Sequence, residues 1–153
     1  MKTLVLGIGN TLLGDDGVGV YVARELAEKI SDGNVTVMDT AIDGLNLLDV
    51  IRNYERLIVI DAILDDKVET GTIFRLTLDQ IPAPSSSGAS SHNLNLATTL
   101  NIGNNIFPGE IPVEVVIFAV ASQNVDYVTE EITSNVKQAL PLVVELVIDE
   151  LEL

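Results

Sequence analysis

Residues 2–8, KTLVLGI, form a nearly continuous apolar run rich in strand formers, the pattern of a strand buried on both faces. The period then changes. Val18, Val22, Ala23, Leu26, Ala27 and Ile30 recur at helical spacing while Arg24, Glu25, Glu28 and Lys29 face the other way, which predicts an amphipathic helix over 16–31. Residues 34–39 (NVTVMD) predict a second strand, 44–52 (GLNLLDVIR) a short helix, and 56–64 (RLIVIDAIL) a third strand with no wet face. A solvated turn is expected at 65–67, followed by 71–78 (GTIFRLTL), whose alternation marks an antiparallel or edge strand with one exposed face.

Residues 79–91 contain two prolines, five serines and a glycine, and read as a long loop of the kind that tends to serve function. A helix is expected over 92–100 and another central strand over 111–121 (IPVEVVIFAVA). A last helix should run from about residue 130 to the end, kinked or restarted at Pro141, because proline lacks the N–H and clashes with the preceding turn. There is no internal repeat and no linker. Strands and helices alternate almost throughout, which implies right-handed crossovers and a sheet covered on both faces. The expected fold is one α/β domain over 1–153: three α/β/α layers around a mostly parallel sheet with one antiparallel strand.

Composition sharpens this picture. The chain is 47% hydrophobic, with three Tyr, three Phe and no Trp, so the core is aliphatic. A formal charge of −15 from 23 acidic and 8 basic residues disfavours nucleic acid and anionic membrane, both of which require Lys and Arg. With no cysteine there is no disulfide, no thiolate nucleophile and no cysteine metal cluster. The N-terminal run reads as a strand rather than a signal peptide, and no apolar run reaches the roughly 20 residues of a membrane helix. A cytoplasmic protein is the expectation.

Candidate chemistry begins at GIGNTLLGDDGVGV (7–20), a glycine-rich turn between the first strand and the first helix. Such a turn usually receives a phosphate on the free N–H groups of the helix start. Here Asp15 and Asp16 occupy that place and would repel one, so a cation or polar substrate is the better match. In open α/β sheets ligands bind beyond the carboxyl ends of the strands where strand order reverses, commonly between strands one and three. Asp16 after strand one and Asp61 at the end of strand three should therefore converge. His92, the single histidine, closes the long loop and could join them, giving two oxygens and one nitrogen for a divalent transition metal with positions left open. One of Asp15 and Asp16 is expected to cap the helix.

Two alternatives use the same residues. GIGNTL with Asp39 about 20 residues on resembles a dinucleotide loop, but Leu12 replaces the third glycine and the acidic pair stands in the phosphate position. A serine near His92 could be a nucleophile, but there is no GxSxG elbow. A non-catalytic nucleotide- or small-molecule-binding module remains the rival to an enzyme.

Three segments, GIGNTLLGDDGVGV (7–20), LIVIDAIL (57–64) and SSHNLNLATTL (90–100), occur in an order that resembles the maturation endopeptidases of nickel–iron hydrogenases over nearly the whole chain. The resemblance implies an enzyme that removes a C-terminal extension from the hydrogenase large-subunit precursor after nickel insertion. It implies that Asp16, Asp61 and His92 engage nickel brought by that substrate, with no organic cofactor. Asp15 would support the site, Asp39 and Asp43 could touch substrate, and Gly7, Gly9, Gly14, Gly17 and Gly19 would permit tight turns and close packing. The chain departs from many relatives at Asp39-Thr40-Ala41-Ile42-Asp43-Gly44, where an Asp-Gly-Gly-Thr-like segment is common. It departs again at ASQNVDYVTEEITSNV (121–136), which lacks a Gly-rich, Pro-containing form.

Overall fold

The computed structural model describes residues 1–42, 44–80, 91–123 and 125–153, with 91–95 described by backbone alone. Five strands form one sheet: β1 (Thr3–Ile8), β2 (Val35–Thr40), β3 (Arg56–Leu64), β4 (Ile73–Thr77) and β5 (Glu114–Ser122), in the order β2-β1-β3-β5-β4. β1 pairs in parallel with β2 and β3, and β3 with β5, while β4 lies antiparallel along β5. The expected mostly parallel sheet with one antiparallel strand is therefore the observed one. Strand order reverses between β1 and β3.

Alternation along the strands divides the core in two. Val5, Ile58, Ile60, Val116, Phe118 and Val120 pack beneath α1 (Val18–Lys29) and α4 (Ser134–Leu151). Leu4, Leu6, Ile8, Leu57, Val59 and Ile117 pack on the other face against α2 (Leu48–Ile51) and α3 (Ser91–Ile106). β1, β3 and β5 read as unbroken apolar runs because both of their faces are covered. Among the described residues no helix is long and apolar enough to cross a membrane.

The boundaries differ in instructive places. The first helix is preceded by a 3-10 turn, Gly14–Gly17, and the expected helix over 44–52 divides into a 3-10 turn, Gly44–Leu47, and α2. α3 continues six residues beyond the expected end, through NIGNNI, which has no apolar period. Packing extends it: a Cβ on Gly103 would stand 2.5 Å from Leu48, so the missing side chain lets the helix lie against α2. β5 starts at Glu114 rather than 111, since Pro112 has no N–H to give and Val113 turns outward, 91% exposed.

α4 begins at Ser134, later than expected, and passes through Pro141 without restarting. Pro141 lies on the exposed side, as does Lys137, whose carbonyl loses its helical partner to the proline ring and is left facing water. The buried side, Val136, Ala139, Val143, Val144 and Val147, holds the two halves on one axis against the sheet. The C-terminal turn of α4 is fixed by charge. Glu150 meets Arg56 at 3.1 Å and also pairs with Arg75, joining α4 to β3 and β4. The Arg75 guanidinium, ahead of Arg56, holds the Glu150 carboxyl below its ordinary range, and Glu150 in turn raises Arg75.

Candidate active site

The reversal point is built by close backbone approach. A Cβ on Gly9 would lie 2.0 Å from the Asp16 carbonyl oxygen, and one on Gly19 would lie 2.3 Å from the Ile60 oxygen and 2.8 Å from that of Ile8. Only glycine permits the turn after β1 and the start of α1 to lie directly on the ends of β1 and β3. The same turn packs against β3, so the segment carrying Asp16 is brought to the strand carrying Asp61.

Asp16 is half-buried, and its Oδ2 accepts the Asn10 N–H at 2.9 Å. Asp61 is fully buried, one residue past the last β1–β3 pair, and its Oδ1 accepts the Ala62 N–H at 2.8 Å. Strand alternation puts Asp61 on the Leu57 and Val59 face, the face covered by α3. α3 packs there through Leu96 and Leu100, and its last turn leads to Glu110. The Glu110 carbonyl accepts the Asn53 N–H at the amino edge of the sheet. The first turn of α3, with Ser91 and His92, is therefore directed to the carboxyl edge. The His92 side chain lies outside the described residues, as do Asp43 and the serines at 85–90. Among the described residues no group of three His, Cys, Asp or Glu side chains is arranged to hold a metal ion.

Asp15 has a different task from its neighbour. It is 1% exposed and accepts the Gln123 N–H at 3.0 Å, the Thr133 N–H at 2.8 Å and the Thr133 hydroxyl at 2.9 Å. Neither carboxylate caps α1, because Gly17 occupies the N-cap. Asp15 instead binds Thr133, the residue before α4, across the end of β5. Its observed task is a contact between distant segments of the chain. Separations of 108 and 118 residues leave no spacing signal by which the sequence could disclose it.

A groove of about 140 Å³ opens beside the turn, between Asn10, Thr11, Arg24, Asp39 and Thr40. Arg24 Nε stands 3.6 Å from the Asp39 carboxylate. The residue that a dinucleotide loop would aim at a ribose is thus paired with α1. Asp16 draws in the Asn10 N–H, so that donor of the turn is already engaged by a carboxylate.

Known proteins give the same answer from sequence and from fold. The family model HycI, hydrogenase maturation protease, matches residues 20–150. The chain is 33% identical over 127 residues to the hydrogenase 2 maturation protease of Escherichia coli, covering 82% of this chain and 76% of that protein. It is 31% identical over 147 residues to the hydrogenase expression/formation protein HupD of Rhizobium leguminosarum, covering 94% of this chain and 71% of the relative. The solved structure of the hydrogenase maturating endopeptidase HybD from E. coli superposes with a TM-score of 0.85 at 30% identity, over 99% of this chain and 93% of that one. A likeness that runs along nearly the whole length makes the chain a member of the hydrogenase maturation protease family, and therefore a peptidase.

Proposed function

We propose that this peptidase removes the C-terminal extension of a nickel–iron hydrogenase large-subunit precursor, and that Asp16, Asp61 and His92 read the nickel which the precursor carries. The observation that supports this most directly is the fully buried Asp61 carboxylate at the reversal point, beneath the turn that presents Asp16. A carboxylate held in an aliphatic core needs partners to keep it there, and buried titratable groups gathered at the carboxyl edge of such a sheet are concentrated at functional sites. An imidazole nitrogen suits nickel and two harder carboxylate oxygens bind it only moderately, so the three leave coordination positions for groups of the substrate. The enzyme holds no cofactor of its own in this reading.

Nickel carried by the precursor would be held by Asp16, Asp61 and His92, would anchor the C-terminal segment there, and could supply Lewis-acid polarisation of the scissile carbonyl. Water attacks the carbonyl carbon, a site carboxylate takes its proton, and the proton passes to the departing amine as the C–N bond breaks. Asp16, half-exposed at the rim, is open to that water, whereas Asp61 is sealed from solvent.

The test uses nickel-loaded and nickel-free precursor with Asp16→Asn, Asp61→Asn and His92→Ala. Each variant should keep its fold and lose processing of the loaded precursor by at least about a hundredfold, the scale on which general acid–base and metal-contacting groups contribute. Wild-type cutting of the nickel-free form at an equal rate would remove the nickel-reading role. Full processing by all three variants would remove the site assignment.

A further inference from the structure

The hydrogen bonds that close the acidic turn also build a ribbon beside it. The Thr129 N–H donates to the Leu12 carbonyl at 2.8 Å and the Gly14 N–H donates to the Thr129 carbonyl at 2.9 Å. Leu13 and Thr129 thereby form a parallel bridge outside the sheet. The two short segments carry Leu12, Leu13, Tyr127 and Val128, which are 48, 39, 65 and 75% exposed. Singly exposed apolar residues are ordinary, but four large ones on one small ribbon are not. The ribbon is held in place from below by the Asp15 bonds to Gln123 and Thr133, so it does not fold down to bury these side chains.

We propose that this ribbon docks the large-subunit precursor, taking an apolar segment flanked by basic side chains. The proposal rests on the function given above and names what that site recognises beyond its nickel. Charge points to the flanks: Asp126, Glu130 and Glu131 border the apolar positions, residues 121–136 contain no Lys or Arg, and the chain carries −15 overall. Basic groups on the partner meet this field and acidic ones are repelled. Continuity points to the occupant. Asp16 follows Leu13 by three residues, in the turn that begins at Gly14, so a segment seated on the ribbon lies beside Asp16. An exposed Tyr such as Tyr127 is a usual anchor of protein recognition, and apolar neighbours such as Leu12, Leu13 and Val128 exclude water around it.

The experiment compares wild type, Tyr127→Ser and the double variant Leu12→Ser/Val128→Ser on nickel-loaded, full-length precursor from the same organism. Leu142→Ser, 54% exposed on α4 and remote from the ribbon, serves as the control for lost surface hydrophobicity. Thermal unfolding verifies that each variant is folded. The ribbon variants should raise KM by about tenfold, a scale set by losing an apolar anchor, with kcat within about twofold. Raising salt from about 50 to about 500 mM should raise the wild-type KM. Calorimetric affinity for the purified precursor should fall in parallel.

Unchanged KM and affinity in the ribbon variants would overturn the proposal, as would a loss of kcat at constant KM. So would a wild-type dimer in sedimentation that the double variant dissociates, since the ribbon would then join two copies of this chain. If wild type binds precursor through the ribbon but cuts none, the docking surface stands and the function reading fails.

Discussion

The Asp15 carboxylate holds Thr133 at two points, accepting its backbone N–H at 2.8 Å and its hydroxyl at 2.9 Å. Through this pair the turn after β1 and the start of α4 become one unit, although 118 residues separate them. Asp15→Ala should lower stability by about 3 kcal/mol, because it leaves the Gln123 and Thr133 donors facing a cavity without an acceptor. Urea unfolding measures it. A loss below about 1 kcal/mol would mean that water replaces the carboxylate freely.

Gly19 offers a test of the close packing. An alanine in a helix is ordinarily favoured over glycine by about 1 kcal/mol. At Gly19, however, the new methyl would meet the Ile60 carbonyl oxygen at 2.3 Å, and backbone of a central strand does not give way. Gly19→Ala should therefore lower Tm by roughly 5 °C or more, as overpacking of about 1–3 kcal/mol outweighs the propensity gain. Gly33→Ala, with nothing within 4 Å, should leave Tm unchanged or slightly raised. Equal effects in the two variants would refute the packing account.

Glu150 predicts a pH signature. Its pairing with Arg75 first, and Arg56 next, depresses its carboxyl in the folded state, so the folded chain binds fewer protons than the unfolded chain as pH falls through the acid range. The stabilisation is complete above the ordinary glutamate range and disappears as the pH drops through the lowered value. Glu150→Gln should accordingly be less stable than wild type at neutral pH and converge with it in acid. High salt should narrow the neutral-pH gap. Denaturation curves across pH, at low and high salt, decide the point; a gap that widens in acid contradicts it.

Pro141 is exposed within α4 and its ring denies Lys137 a helical partner. Pro141→Ala should restore that bond and raise stability by about 2 kcal/mol, or about 6 °C in Tm. Differential scanning calorimetry on the two proteins is sufficient. A lower Tm would show that the proline contributes packing beyond its backbone effect.

The sequence disclosed what local pattern encodes. β1, β3 and β5 are legible because strands covered on both faces carry unbroken apolar runs, and α1 because Val18, Val22 and Leu26 all face the sheet. The reversal between β1 and β3, and the acids placed there, followed from the alternation of elements. The long end of α3 was not legible, since Gly103 contributes by lacking a side chain that Leu48 would otherwise meet. The start of β5 was misjudged because Ile111, Pro112 and Val113 look like strand by composition. Asp15 looked like a helix cap because its partners, Gln123 and Thr133, come from the far end of the chain. Arg24 opposite Asp39 and the Glu150 cluster were hidden for the same reason. Contacts made only by tertiary folding leave no period to read.

Asp16 and Asp61 are carried by a glycine-tight turn pressed onto a buried strand. Leu12, Tyr127 and Val128 instead stand outside the core with much of their surface exposed. Under the proposed docking, a change of client would require altering only this periphery and not the turn that carries the two carboxylates, so one reaction could be turned to different partners by surface substitution alone.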